Sequence, residues 1–208
     1  MENVGFASPL SGKETFMEKN KIRKLTVLAI MISLDVFLTP IFRIEGMAFM
    51  SSVVNVIAGV LLSPLYALTM ALITSVIRIL TQAGVVTVAP LAILGAVPGA
   101  FLASLFYRWG RKDLLSWLGE FLGTGLIGSL VSAPVMVWFW TATANGDSEL
   151  LAKASAAQSL FLFTPRFVGA TLIGGVIGIA VLQGLKRLPV FIQLQELFAL
   201  KTENPDGV

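Results

Sequence analysis

Long apolar runs, separated by short polar connections, constrain the fold of this chain more than any other feature. Residues 50–82 read as two apolar helices joined by a tight turn at Ser63-Pro64. Further apolar runs cover residues 25–41, 90–107, 117–140 and 159–185. A helix needs about 17–25 such residues to cross a bilayer, and only 13% of this chain is charged, about half the share in a soluble domain. We therefore predict an all-α integral membrane protein with about six transmembrane helices.

The basic residues indicate how this predicted bundle is oriented. They collect before the first apolar run, around residues 108–112 and after residue 185. Since basic connections stay in the cytoplasm, both termini are expected there, in a multi-pass protein of the cell membrane. The expected division is a cytoplasmic N-terminal tail (1–24), a six-helix transmembrane domain (25–187) and a cytoplasmic C-terminal tail (188–208). The acidic N-terminal segment has no long apolar core, which argues against a targeting peptide.

The residue types that the chain lacks exclude several kinds of chemistry. It has no Cys and no His, which removes disulfides, thiolate nucleophiles, imidazole bases and the usual zinc ligands. It also has no G-x-x-x-x-G-K-[ST] nucleotide-binding loop, so energy for active transport would come from an ion gradient or a partner chain. An enzyme would need a carboxylate cluster, but Asp35, Glu45 and Glu120 are expected at different depths. The net charge of +3 is modest and reports membrane orientation more than nucleic-acid binding.

Polar side chains from several helices are expected to meet in one layer near the external face. Asn55 and Arg78 lie at matching depths on the two central helices, and an Arg inside an apolar span usually faces protein or a wet cavity. The same layer and the loop above it are expected to hold Gln82, Trp138, Arg166, Glu45 and Phe49. Convergent polar groups with aromatic walls describe a small-molecule pocket. These residues are therefore the candidate substrate-binding set.

Several of these polar and aromatic residues also have a purely structural interpretation. Arg78 could bond to Asp35 or Glu45 in a network between helices, and Trp138 could anchor the protein at the membrane interface. Asp35 is expected to be hydrogen-bonded within the bundle, with a proton or substrate role as the alternative. Glu120 is expected near the cytoplasmic end, paired with loop cations, and no functional role is assigned to it.

Three sequence blocks resemble a known family. They are V-N-V-I-A-G-V-L-L-S-P-L-Y-A (54 to 67), T-S-V-I-R (74 to 78) and G-A-V-P-G-A-F-L-A-S-L-F-Y-R (95 to 108). They resemble the ThiW-type proteins, thiazole-precursor substrate-binding subunits (S components) of energy-coupling-factor vitamin transporters. The resemblance implies an S-component-like bundle of six helices with a substrate pocket near the external face. It also implies a transmembrane coupling subunit and two ATPase subunits as partners, which would use the ATP, so that this chain itself needs no cofactor.

The same resemblance implies where the partner docks and what the protein carries. S components dock through small residues of the first helix in an A-x-x-x-A pattern, which Ala29 matches and Ser33 nearly matches. The expected function is uptake of a vitamin precursor, with hydroxyethylthiazole, a thiamine precursor, as the leading ligand. A neutral thiazole alcohol does not explain Arg78 and Arg166, so an S component for a different vitamin is an alternative. A stand-alone ion-coupled secondary transporter is another, and an enzyme is the least favoured reading.

Overall fold

The computed structural model describes residues 9–42, 47–82 and 88–199, with side chains from residue 18 onward. The elements of these ranges are helices. In chain order they are α1 (Pro9–Ile41), α2 (Phe49–Leu61), α3 (Pro64–Thr81), α4 (Ala89–Gly110), α5 (Asp113–Glu120), α6 (Ser129–Thr143), α7 (Ser148–Ala156), α8 (Thr164–Leu185) and α9 (Pro189–Phe198). A π-helical segment, Phe121–Gly128, joins α5 to α6 without a break. The prediction of an all-α fold is confirmed.

Five stretches of the described chain are long and apolar enough to cross a membrane: Glu18–Ile41, Pro64–Thr81, Ala89–Gly110, Asp113–Thr143 and Thr164–Leu185. The sixth predicted span corresponds to α2, which has only 13 residues. Such a helix is roughly 20 Å long, shorter than the ~30 Å hydrocarbon core of a bilayer. The tight turn between α2 and α3 lies where the sequence predicted it, but a complete sixth crossing by this helix is not established.

Helix α2 forms the centre of the bundle. Val56 and Ala58 are fully buried, and Val54 and Val60 are nearly so. A helix that is apolar and buried on all sides belongs in the core of the protein. Its polar residues are therefore surrounded by other helices and do not face lipid.

Helix α4 packs very closely against α5 and the π-helical segment, because glycines line the contact. A Cβ on Gly119 would overlap the backbone of α4 at Leu102. A Cβ on Gly123 would overlap the backbone of Pro98 and Gly99. Small residues permit such close backbone approach inside a membrane bundle. This contact brings side chains of α5 within reach of the groups around α2.

One end of the bundle, here called the α9 end, is closed by the C-terminal helix. The side-chain amide of Gln195 donates to the backbone carbonyl of Val60 at 3.3 Å, and Arg108 donates to the carbonyl of Phe198 at 2.9 Å. Phe198 is almost completely buried. Within the expected C-terminal tail, Pro189–Phe198 thus forms a helix that packs against the ends of α2 and α4.

The opposite end, here called the α7 end, carries a second apolar cluster. Met136 and Trp140 of α6 pack with Ala154 of α7 and with Phe163, which precedes α8. The side chain of Asp147 caps α7 by accepting a hydrogen bond from the backbone N–H of Glu149 at 2.8 Å, a common device at helix starts. The polar connection 141–158 therefore contains a short helix.

Candidate ligand-binding cavity

A cavity of about 140 Å³ lies between α2, α3, α4, α5 and α8, toward the α7 end of the bundle. Its lining residues are Met47, Ala48, Ser51, Ser52, Asn55, Arg78, Val88, Leu91, Ala92, Gly95, Ala96, Glu120, Thr124, Phe163, Arg166, Phe167 and Ala170. By the same measure one water needs about 10–15 Å³, so the cavity accommodates a small organic molecule. Apolar walls with a few convergent polar groups are typical of ligand sites.

Three of the predicted substrate-binding residues line this cavity. Asn55 and Arg78 are buried in its wall, with 1% and 4% of their surfaces exposed. Arg166, in the first turn of α8, also lines it but is exposed to solvent, so it lies at the mouth. The sequence-based expectation that these side chains come together from separate helices is correct. Their contact with a ligand stays a prediction.

The other predicted residues lie elsewhere. The side-chain amide of Gln82 donates to the backbone carbonyl of Val36 at 3.3 Å, which ties the end of α3 to α1. Trp138 has 69% of its surface exposed and does not line the cavity, so its position fits the alternative role of an interface anchor. Phe49 is buried, with its carbonyl against Gly174 of α8. Glu45 lies outside the described residues.

Glu120 is the main correction to the sequence-based picture. It was expected near one end of its helix, paired with loop cations, but it is fully buried and lines the cavity. Asn55 donates from its side-chain N–H to Oε1 of Glu120 at 3.3 Å. The hydroxyl of Thr124 lies 3.0 Å from the same oxygen. The polar layer around Asn55 thus extends deeper into the bundle than the sequence indicated.

The position of Glu120 depends on a missing side chain in α4. A Cβ on Gly99 would overlap both the carboxyl of Glu120 and the hydroxyl of Thr124. Glu120 is also the last α-helical residue before the π-helical segment, and π-helical turns occur frequently at functional sites. The glycine and the change in helical winding together set this carboxyl against the closed end of the cavity.

Asp35 makes a separate set of contacts beside the cavity. It accepts hydrogen bonds from Thr39 at 2.6 Å and from Ser51 at 3.2 Å. The positive charge of Arg78 attracts the same carboxylate. The expectation that Asp35 is hydrogen-bonded within the bundle is confirmed. Arg78 faces Asp35 and also lines the cavity, so its position is compatible with both of the roles that the sequence left as alternatives.

The charges along the cavity are unevenly distributed. The guanidinium groups of Arg78 and Arg166 belong to its wall and mouth, whereas Glu120 and Asn55 form its closed end. Two ion pairs of the described residues, Lys153–Glu149 and Lys186–Asp113, lie outside the cavity. No group of three or more acidic side chains that could hold a metal occurs in the described ranges. The site is therefore suited to hydrogen bonding of a small polar molecule.

The predicted docking residues lie on the outside of the bundle. Ala29 and Ser33 are both exposed on α1, one helical turn apart. The hydroxyl of Ser33 is occupied by a hydrogen bond to the carbonyl of Ala29 at 2.9 Å. This leaves a shallow strip of small residues facing away from the rest of the bundle.

An all-helical bundle with five stretches long and apolar enough to cross a membrane, and with an internal cavity of apolar walls and a few buried polar groups, has the features of a multi-pass membrane protein with a small-molecule site. The family model described as "Thiamine-precursor transporter protein (ThiW)" matches residues 25–188. The chain belongs to this family of transporters, as the three sequence blocks indicated. No match was found among curated proteins or among solved structures.

Proposed function

We propose that this chain is the substrate-binding membrane subunit of an energy-coupling-factor transporter and that its cavity binds a thiamine precursor. The observation that carries the proposal is the enclosed cavity with Asn55, Arg78 and Glu120 in its wall, in a member of a thiamine-precursor transporter family. Hydroxyethylthiazole is the ligand that the sequence resemblance implies, and it is the first compound to test.

The cavity walls suit a flat heterocycle. Phe163 and Phe167 supply aromatic surface, and Leu91 supplies aliphatic surface. Aromatic rings bind other flat rings by stacking or by edge-to-face contacts. Phe163 and Phe167, and not Trp138, therefore provide the aromatic wall of the proposed pocket. Asn55 offers a donor and an acceptor, which fits a hydroxyl group or a ring nitrogen.

The outer face of α1 is the proposed contact with a transmembrane coupling subunit. Small residues allow another helix to approach closely in a membrane, and Ala29 and Ser33 provide such a strip. Because the Ser33 hydroxyl is bonded within its own helix, it presents no unpaired donor to the partner. Two ATPase subunits on the cytoplasmic side would then supply the energy.

The proposed orientation places the α9 end in the cytoplasm and the mouth of the cavity outside. Basic residues cluster at the α9 end, among them Lys24, Arg108 and Lys186, as the positive-inside rule requires. The chain has no Cys, so single cysteines report cleanly. We expect an impermeant thiol reagent on intact cells to label Ser148→Cys but not Lys112→Cys, both of which are exposed positions. Labelling in the reverse pattern would contradict this orientation.

Binding is tested directly with the purified chain. Isothermal titration in detergent should detect binding of hydroxyethylthiazole or of another thiamine precursor without any partner subunit. Absence of binding by every thiamine precursor, in protein that is demonstrably folded, would contradict the proposed function. Uptake by the chain alone in proteoliposomes, driven by an ion gradient, would instead support a secondary transporter.

Coupling is tested with a matched pair of double variants. Ala29→Leu with Ser33→Leu should abolish ATP-dependent uptake and leave ligand binding unchanged, because bulky residues prevent close helix approach. The control is Ala180→Leu with Gly184→Leu, which changes two exposed small residues at the same spacing on α8. This control should transport normally. Loss of uptake only in the α8 variant would move the docking face to α8.

A further inference from the structure

We propose that the mouth of the cavity binds a phosphate group on the ligand, and that Arg166 is the residue that sets this preference. The inference rests on the proposed function, because it names the chemical class of precursor that the same cavity prefers. The expected class is a single heterocycle with a short arm that ends in a phosphate ester. The phosphate ester of hydroxyethylthiazole represents this class, and the uncharged alcohol is expected to bind more weakly.

The first step is the arrangement of helix ends around the mouth. Helices α2, α4 and α8 all begin there, because the residues that precede their first turns, Ala48, Val88 and Phe163, line the cavity. None of these three helix starts is capped by a side chain of the described residues. The peptide dipoles of a helix give its N-terminus about half a positive elementary charge. Three positive helix ends therefore meet where a ligand enters.

The second step is the charge of the side chains at this end. Arg166 lies in the first turn of α8, lines the cavity and is exposed. No carboxylate among the described residues forms an ion pair with it. At the same end Asp147 caps α7 and Glu149 pairs with Lys153, and neither of these carboxylates lines the cavity. Within the described part of the chain, the guanidinium of Arg166 is therefore accessible to a ligand.

The other charged groups of the cavity do not cancel this positive mouth. Arg78 faces Asp35 and lies in the last turn of α3, where a helix end is negative, so its own charge is partly compensated. Glu120 lies at the closed end, bonded to Asn55. Asn55 follows Ala48 by seven residues, a rise of about 10 Å along α2. The carboxyl of Glu120 and the positive mouth are thus separated along the length of the cavity.

A phosphate ester matches this distribution of charge. It carries about −1.5 to −2 charges and three terminal oxygens, so it can accept hydrogen bonds from a guanidinium and face helix N-termini at the same time. A two-carbon arm separates it from the ring, which can then lie against Phe163 and Phe167 and point toward Asn55. Hydroxyethylthiazole would occupy the same inner part of the cavity and leave the mouth without a counter-charge.

The experiment compares the phosphate ester with the alcohol by isothermal titration of the purified wild-type chain. At low salt the ester should bind roughly tenfold more tightly. Because salt screens the attraction between exposed charges, this difference should shrink at high salt, while the affinity of the alcohol should stay constant. An analogue with a carboxylate in place of the phosphate should have an intermediate affinity, because it carries less charge.

Variants of Arg166 test the residue itself. Arg166→Gln should weaken binding of the ester about fivefold and change binding of the alcohol by less than about twofold. Arg166→Lys keeps the positive charge and should retain most of the affinity for the ester, whereas a purely structural role would affect both ligands alike. Arg187→Gln is the control, because it removes the same charge from an exposed residue at the α9 end. This control should bind both ligands like wild-type protein.

The outcomes separate this inference from the proposed function. Equal affinities for the ester and the alcohol, or tighter binding of the alcohol, would overturn the inference and leave the proposed function intact. The same holds if Arg166→Gln binds the ester like wild-type protein. It also holds if inorganic phosphate at equal concentration displaces the ester, because the ring would then contribute nothing. Failure of folded wild-type protein to bind any thiamine precursor, charged or neutral, would overturn both.

Discussion

Asp35 and Glu120 are both fully buried carboxyl groups in the described part of the bundle, yet their surroundings differ. Asp35 has a hydroxyl donor on each oxygen, from Thr39 and Ser51, and the charge of Arg78 beside it. Glu120 receives hydrogen bonds from Asn55 and Thr124 and faces the hydroxyl of Ser52, but the charged side chain that acts on it is Asp35, which repels it. Glu120 lines the cavity and Asp35 does not.

The difference distinguishes a structural carboxylate from a candidate binding group. Burial of a charge is costly unless the protein supplies partners, and around Asp35 it does. Around Glu120 the protein supplies hydrogen-bond donors, but the nearby charge is that of Asp35, and the carboxyl lines the cavity. Intramembrane acidic residues are functional candidates by default, but the two hydroxyl donors and the facing cation of Asp35 account for that residue structurally.

The largest effect is expected from Asp35→Ala. The variant removes the carboxylate that faces Arg78, and breaking such a buried pair costs about 3–5 kcal/mol of stability. Chemical unfolding of the detergent-solubilised protein should show this loss. Glu120→Ala should be much less destabilising in the same assay, because the charged side chain that acts on Glu120 is Asp35, which repels it, so no ion pair is broken. Equal losses in the two variants would break the comparison.

Arg78→Ala should affect both protein stability and ligand binding, because Arg78 belongs both to the Asp35 network and to the cavity wall. It faces Asp35 and also lines the cavity. We expect a stability loss of about 3 kcal/mol, at the low end for a broken buried pair because Asp35 keeps its bonds to Thr39 and Ser51, and a roughly tenfold or greater loss of ligand affinity. Asn55→Ala should reduce affinity by a similar factor. Unchanged affinity in both variants, measured by titration calorimetry, would mean that the polar layer is only structural.

Gly99→Ala tests the position of Glu120 without changing any polar group. The added methyl would overlap the carboxyl of Glu120 and the hydroxyl of Thr124, and overpacking of this kind costs about 1–3 kcal/mol. The carboxyl must shift, so ligand affinity should fall while Asp35 is undisturbed. Gly184→Ala is the control, because a Cβ there meets nothing within 4 Å. Normal binding by Gly99→Ala would show that the placement of Glu120 is not needed.

Much of the fold could be predicted from apolar runs and turn residues. The helices and the turn at Ser63-Pro64 are where the pattern placed them. The predicted count of six full spans is not established, because α2 has only 13 residues and lies in the centre of the bundle. Hydropathy alone does not distinguish such a buried helix from a membrane span. The short helices α7 and α9 were not assigned from the sequence, although each has a local start signal: Asp147 caps α7 and Pro189 begins α9.

The site was predicted in part, and the errors have physical causes. Asn55 and Arg78 stand out because polar residues are rare within apolar helices. Glu120 was missed because depth was inferred from its distance along the chain, whereas the short α2 brings Asn55 to its level.

Trp138 follows Glu120 by 18 residues, which is five turns of an α-helix at about 3.6 residues each. An unbroken α-helix would align the two, but the wider turns of the π-helical segment rotate Trp138 away.

The smallest effects come from a matched pair of threonines, each four residues after one carboxyl. Thr39 donates to Asp35 at 2.6 Å, and Thr124 lies 3.0 Å from Glu120. Replacing either by Val keeps the shape and removes one hydroxyl, at a cost of about 0.5–1.5 kcal/mol. Because Asp35 lies outside the cavity, Thr39→Val should lower stability and leave ligand affinity unchanged. Thr124→Val should also weaken ligand binding, since Thr124 lines the cavity and orients Glu120. If both variants bound the ligand equally well, the contrast between the two carboxyl groups would be one of packing and not of function.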